Sequence, residues 1–152
     1  MKLTTKARYG LKICLELGKR PQRFISTSEI SEMTGYTVKY IEKIMNSLKK
    51  AGIVRAERGA GGGYMLSRPA GEITLGEIIR PLEDNLEFIK CLGVSCCPGE
   101  KHCPTYGVWQ RLYNGINSVL DSMTLQEIID DSINMGDRHE ESISGPRCNH
   151  RC

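Results

Sequence analysis

Residues 57–63 read Glu-Arg-Gly-Ala-Gly-Gly-Gly, and this run narrows the folds open to the chain more than any other feature. Four glycines among seven residues make a helix interior or a packed strand costly, because glycine gives up the most backbone freedom on ordering. The flanks are short and apolar, Ile53-Val54-Arg55-Ala56 before the run and Tyr64-Met65-Leu66 after it. They read as two antiparallel strands joined by a turn whose backbone can lie close to another surface, with Arg58 projecting a charge from it.

What precedes this hairpin is helical. Leu3, Ala7, Leu11, Cys14, Leu15 and Gly18 recur at three- and four-residue steps, as one helix face requires, while Thr4, Lys6, Arg8 and Lys12 fall largely outside it. Cys14 lies on the stripe and reads as a small core hydrophobe. After Lys19-Arg20-Pro21, Ser26 and Glu29 form a capping box for a short helix through Ile30 and Met33 that stops at Gly35. Thr37 can cap a longer helix with apolar stripe Val38, Ile41, Ile44, Met45 and Leu48.

A short helix, a tight turn at Gly35-Tyr36 and a longer helix make a helix-turn-helix candidate, although a plain helical hairpin with a solvated charged face has the same pattern. The glycine hairpin adds what a wing would supply. The expected fold is therefore mainly α, a winged helix-turn-helix head with a two-strand wing. In such a head the longer helix enters the major groove and presents Lys39, Tyr40, Glu42 and Lys43 toward base edges. Lys43 suits a guanine and Glu42 a cytosine amino group, the other use of Glu42 being as a surface partner for a lysine. Lys49 and Lys50 suit phosphates, and Arg58 a minor groove or phosphates. The expected DNA-binding set is Thr37, Lys39, Tyr40, Glu42, Lys43, Lys50, Arg58, Gly61 and Gly62.

Arg68-Pro69-Ala70-Gly71 is a connector, and Thr74 with Glu77 forms a second capping box leading into Ile78, Ile79 and Leu82, where Pro81 should end or kink the helix. Four of the seven cysteines, Cys91, Cys96, Cys97 and Cys103, then crowd into one loop bounded by Pro and Gly. Such a loop builds little core, so its thiols point to chemistry. Beyond it Val108, Trp109, Leu112, Tyr113, Ile116, Val119, Leu120 and Met123 trace a long apolar stripe interrupted by Gly115. We expect it to pack both against its own head and against a second copy, giving a homodimer. Thr124 and Glu127 form a third capping box before Ile128, Ile129 and Ile133, and a polar tail, expected to be mobile, starts at Asp137. The division expected is 1–82 for the head, 83–104 for the cysteine loop, 105–135 for the dimerisation helix and a following short helix, and 136–152 for the tail.

Composition restrains these readings. The 152 residues, 39% hydrophobic and 26% charged, fit one ordinary core. A net charge of +3 is too mild to argue for nucleic acid, so only the distribution of charge can. The start Met1-Lys2-Leu3-Thr4-Thr5-Lys6 lacks the apolar core of a secretory signal, and no apolar run is long enough to cross a bilayer, so a cytoplasmic place is expected. Thiols stay reduced there, and clustered cysteines serve as metal ligands or redox sensors rather than as a disulfide framework. No Ser/His/Asp or Cys/His catalytic set is present, and residues 59–63 lack the Gly-Lys-Ser/Thr ending of a phosphate-binding loop, so no enzyme is expected.

The start through Gly10, the segment Tyr40-Ile41-Glu42-Lys43-Ile44, the wing from Arg58 to Tyr64 and Thr74-Leu75-Gly76-Glu77-Ile78-Ile79 together resemble the Rrf-two family of bacterial winged helix-turn-helix regulators over about residues 1–133. The resemblance implies a homodimer that binds operator DNA with two heads and crosses its long helices near the cysteine loop. It also implies an iron-sulfur cluster, two-iron or four-iron, held by three loop cysteines in the cluster-binding members. The matching positions are Cys91, Cys97 and Cys103, with Cys96 extra. A histidine ligand of some members falls here on Tyr106, and an aspartate supplied by the partner's first helix in others falls on Arg8. Candidates for the fourth ligand are Cys96, His102, Tyr106, Glu16, Cys148, His150 and Cys152. Rival readings are a thiol switch at Cys96, Cys97 or Cys103, a zinc site, whose usual close ligand pairs are lacking, and a small electron carrier, which would leave the wing without a purpose.

Overall fold

The computed structural model describes residues 3–83 and 103–140, the last six by their backbone alone. Helix α1, Thr5–Gly18, starts where the Thr4 hydroxyl accepts the Ala7 N–H. Thr4 is in turn held from far along the chain, donating its N–H and hydroxyl to the Glu83 carboxylate at 2.7 and 3.0 Å. The buried face of α1 comprises Ala7, Gly10, Ile13, Cys14 and Leu17, with Leu11 and Leu15 only partly covered, so it is rotated from the expected stripe. The reason is tertiary: α1 is touched by α2, α3 and β2 and by both later helices α4 and α6 (ranges below), which widens the arc it must bury.

Helix α2, Thr27–Thr34, carries the expected capping box, with Ser26 and Glu29 each satisfying the other's backbone N–H, and ends at Gly35 in the left-handed region. Helix α3, Val38–Lys50, buries Ile41, Ile44, Met45 and Leu48 completely. At about 1.5–3 kcal/mol for each such side chain, this stripe alone seats the helix. Val38, expected on that stripe, is exposed, because the first helical residue stands at the edge of the packed face.

Strand β1, Val54–Glu57, pairs antiparallel with β2, Gly63–Leu66, in the register Val54↔Leu66 to Glu57↔Gly63. Ile53 lies just outside the ladder and is buried, its N–H bonded to the Leu48 carbonyl. Helix α4, Leu75–Ile79, has the second capping box and tightens into a 3-10 turn at Arg80–Leu82, as Pro81 requires.

Helix α5, Tyr106–Ser122, and helix α6, Leu125–Glu140, complete the described chain, α6 continuing beyond Asp137. Thr124 and Glu127 form the third box. Helix α6 returns to the head, burying Leu125 and Ile129 against α1 and the turn at Ala70–Glu72. Two backbone bonds of 2.8 Å, Leu75 N–H to Met123 O and Leu125 N–H to Ile73 O, stitch the junction, and Arg80 grips Asp121 with both guanidinium ends at 2.6 and 2.8 Å. Helix α5 itself has no buried residue, and of its stripe Leu120 is the member packed on the head's core. No described helix is long and apolar enough to cross a membrane.

Candidate nucleic-acid interface

One face of α3 is buried and the opposite face is bare. At 100° per residue, Lys39, Glu42, Lys43, Asn46 and Lys50 share a stripe opposite Ile41, Ile44, Met45 and Leu48, and all five are exposed. Tyr40, expected beside them, is half-buried and packs edge-on to Tyr9, ring centroids 5.8 Å apart. Thr37 occupies the N-cap position but makes no capping bond with its side chain, contrary to expectation. The leading N–H groups of α3 thus lack a side-chain acceptor from the cap, and the positive end of the helix dipole favours an anion there.

The wing is seated by close backbone contact. Ile25 and Tyr64 exchange N–H to carbonyl bonds of 2.9 Å each, tying the hairpin root to the segment that enters α2. A side chain at Gly63 would collide with the Ile25 carbonyl, so this seat needs glycine. Between the hairpin and α3 lies a cleft lined by Ser26, Thr27, Asn46, Lys49, Arg58 and Gly62, among others, which brings the expected wing cation to the same side as Lys49 of α3. Gly61 sits in the left-handed region at φ +85, and Gly62 closes the turn through its N–H on the Gly59 carbonyl.

The charges divide the surface. Lys19, Arg20, Arg23, Arg68 and Arg80 are paired with Glu16, Glu29, Glu77 or Asp121. Among the described residues, Lys39, Lys43, Lys49, Lys50 and Arg58 have no carboxylate partner, and neither do Lys6, Arg8, Lys12, Arg55 and Arg111 elsewhere on the surface. Nor does Glu42 form an ion pair with any of the lysines around it. Cations without an internal counter-charge are those whose neutralisation by phosphates releases condensed counterions.

Sequence reasoning missed one group next to this face. Tyr9 and Tyr36 stack with centroids 3.8 Å apart, and the Lys12 ammonium lies 5.5 Å from the Tyr36 ring centre. Burial and the neighbouring Tyr9 push the Tyr36 phenol up, against a smaller opposing pull from Arg8, so it is a protonated donor at neutral pH. An aromatic residue inside the turn between two helices was the available signal.

Of the expected cluster ligands and fourth-ligand candidates, Cys103, Tyr106 and Glu16 are described; Cys91, Cys96, Cys97, His102, Cys148, His150 and Cys152 lie outside the described residues. Cys103 is partly exposed just before α5, its Sγ 3.2 Å from the Thr105 hydroxyl. That hydrogen bond, with backbone N–H groups of Thr105 and Tyr106, holds its thiol below the usual range. Thiolate is the form that ligates iron, so this donor fits a cluster. Tyr106 is the first residue of α5, its N–H on the Cys103 carbonyl at 3.2 Å. Glu16 accepts from Lys19 at 3.3 Å and Arg20 at 2.8 Å, and though burial opposes it, these cations keep its carboxyl low; a metal there would have to displace both. Cys14 is fully buried and its thiol is pushed up to about 12, in keeping with a core role. Among the described residues no group of three or more His, Cys, Asp or Glu could hold a metal ion.

Comparison with known proteins bears on the fold and the family. The Rrf2 family model, described as an iron-dependent transcriptional regulator, matches residues 3–131. The HTH-type transcriptional regulator IscR of Vibrio atlanticus is 34% identical over 147 residues, spanning 95% of this chain and 85% of that protein. Its counterpart from Pectobacterium atrosepticum is 32% identical over 143 residues, covering 92% and 87%. Among solved structures, CymR, the global cysteine regulator of B. subtilis, superposes with a TM-score of 0.70 at 34% identity, over 86% of this chain and 97% of that one. IscR of T. potens gives 0.67 at 31% identity, over 96% and 94%.

Proposed function

The chain belongs to the Rrf2 family of transcriptional regulators, and from that membership we propose that it is an operator-binding homodimer whose hold on DNA follows the state of an iron-sulfur cluster at Cys91, Cys97 and Cys103. The observation that carries the sensing part is the crowding of Cys91, Cys96, Cys97 and Cys103 into one short stretch, with Cys103 partly exposed and its Sγ 3.2 Å from the Thr105 hydroxyl, at the entrance of the helix whose apolar side lies bare. When bound, the cluster would supply redox chemistry and reactivity toward oxidants or nitric oxide.

The chain's own residues do the reading. Helix α3 lies in the major groove, where Lys43 donates to a guanine and Glu42 accepts from a cytosine amino group, each contact discriminating by about 1–3 kcal/mol. Thr37, Lys49 and Lys50 meet phosphates, and Arg58 reaches a minor groove or phosphates from the wing. The ends of the cysteine loop are anchored to different elements, Glu83 to the start of α1 and Cys103 to the start of α5. Ligation acts on operator binding only by stabilising one arrangement of these elements over another. With Arg8 at the position where some members place an aspartate and Glu16 engaged by Lys19 and Arg20, the candidates for the fourth donor are Cys96, His102, Tyr106 and the tail.

Anaerobic purification followed by visible absorption and iron and sulfide analysis tests the cluster. A coloured protein that bleaches in Cys91→Ser, Cys97→Ser and Cys103→Ser is expected; a colourless, iron-free protein after attempted reconstitution would sink it. The second reading, a thiol switch, is favoured by the partial exposure of the free Cys103 thiol and by the existence of an oxidised form of Staphylococcus aureus CymR, 37% identical with a TM-score of 0.64 over 85% of this chain and 96% of that one. Under it, peroxide alters operator affinity of the iron-free protein and Cys103→Ser abolishes the response.

A further inference from the structure

We propose that Arg8, Lys12 and the stacked phenols of Tyr9 and Tyr36 form a second backbone-binding site, which takes a phosphodiester of the duplex flanking the bases read by α3. The inference rests on the operator-binding reading above. Arg8 and Lys12 are one helical turn apart on α1, both exposed, and no described carboxylate neutralises either. Together with Thr5, Tyr9 and Tyr36 they line one concave patch, and no acidic residue enters it. A patch lined by two cations and three hydroxyl-bearing residues, with no negative charge, suits an anion.

Its floor is rigid. Tyr9 and Tyr36 stack at an interplanar angle of 13°, and Tyr40 closes the stack edge-on at 86°. If the rings served packing alone, they would need no cations; here Lys12 is drawn over the Tyr36 face and Arg8 lies near enough to act on its phenol. The position of the patch selects DNA over a free anion. Tyr36 belongs to the turn of the helix-turn-helix, Tyr40 to α3, and the uncapped Thr37 lies between them. A phosphodiester strand meeting the start of α3 would reach the patch through Tyr36 and Tyr40, whose rings pack on Tyr9.

The test is a titration of the full-length protein against fluorescent operator and scrambled duplexes from about 50 to 300 mM salt. For Arg8→Gln with Lys12→Gln, operator affinity should fall about tenfold, and the slope of log affinity against log salt should shrink by about 1.8. The loss should be equal on both duplexes, leaving their affinity ratio unchanged, and the melting temperature should stay that of the wild type. Tyr36→Phe keeps the stack but removes the donor, and should cost about threefold. Wild-type slope and affinity in the double variant, alongside Arg58→Ala that does weaken binding, would overturn this site and leave the operator reading standing. A wild type that binds neither duplex would remove both. Inorganic phosphate that shifts the tyrosine signals of the wild type and not of the double variant, with DNA affinity equal in the two, would reassign the patch to a free anion and overturn the inference.

Discussion

Helices α3 and α5 are both amphipathic, 13 and 17 residues long, yet a single chain finishes them to different degrees. In α3 the apolar stripe from Ile41 to Leu48 is wholly buried and the polar face carries cations without acidic partners. In α5 nothing is buried: Val108 and Val119 are each 56% exposed and Leu112 52%. A groove lined by Leu112, Gly115, Ile116, Val119 and Leu120 is left facing outward, an apolar patch of the kind that marks an association surface. Each helix thus lacks one complement. Under the function proposed above, what completes α3 is the DNA polyanion and what completes α5 is the α5 of a second copy.

The contrast breaks most sharply at the core. Ile44→Ala should lower unfolding free energy by about 2–5 kcal/mol through lost transfer energy and a cavity, whereas Val119→Ala at low protein concentration should cost less than about 1. Equal losses in chemical denaturation would mean that α5 is as integral to the single chain as α3. Next in size is the association surface. Leu112→Glu combined with Val119→Glu should raise the dimer dissociation constant at least about 100-fold, roughly 2.7 kcal/mol, with far-ultraviolet dichroism of the head retained. Sedimentation showing an intact dimer in that variant would move the interface elsewhere.

The smallest effect sharpens the junction between the two regions. Hydrogen bonds from Thr74 and Arg68 hold the Glu77 carboxyl low, and the Arg80 guanidinium does so for Asp121. A carboxyl that titrates lower when folded than when unfolded stabilises the fold above its unfolded pKa, and the contribution is lost as pH falls through the folded one. Denaturant midpoints should therefore be level near neutrality and decline as acid protonates these groups. Because all are substantially exposed, the decline should be shallow, and a midpoint that rises in acid would contradict the assignment.

Much of this layout is legible in the chain because it depends on near neighbours. The boxes at Ser26, Thr74 and Thr124 hold since each donor and acceptor stand three residues apart, and Pro81 tightens its turn through its own ring. Thr37 stands at an N-cap as well, but the residue three further on is Tyr40 rather than Glu or Gln, and its side chain makes no capping bond. The strands lie one residue from their expected start, β2 gaining Gly63, whose contact with Ile25 crosses about forty residues of sequence. The tyrosine stack likewise joins α1 to the turn before α3, and no local pattern announces it. Among the cysteines, Cys14 was readable from its stripe, while the lowered thiol of Cys103 rests on Thr105, a neighbour whose hydroxyl had drawn no attention.

By itself the sequence determined the period of each helix, the chemistry of its caps and the glycine turn that only a wing-like hairpin accommodates. These follow from backbone geometry and side-chain reach within a few residues. Tertiary structure alone decided which cations go without a counter-charge, which arc of α1 is buried and which apolar stripe remains uncovered. Those outcomes depend on how elements far apart in the chain meet, as when Glu83 reaches Thr4 or Arg80 reaches Asp121, and packing rather than periodicity sets them.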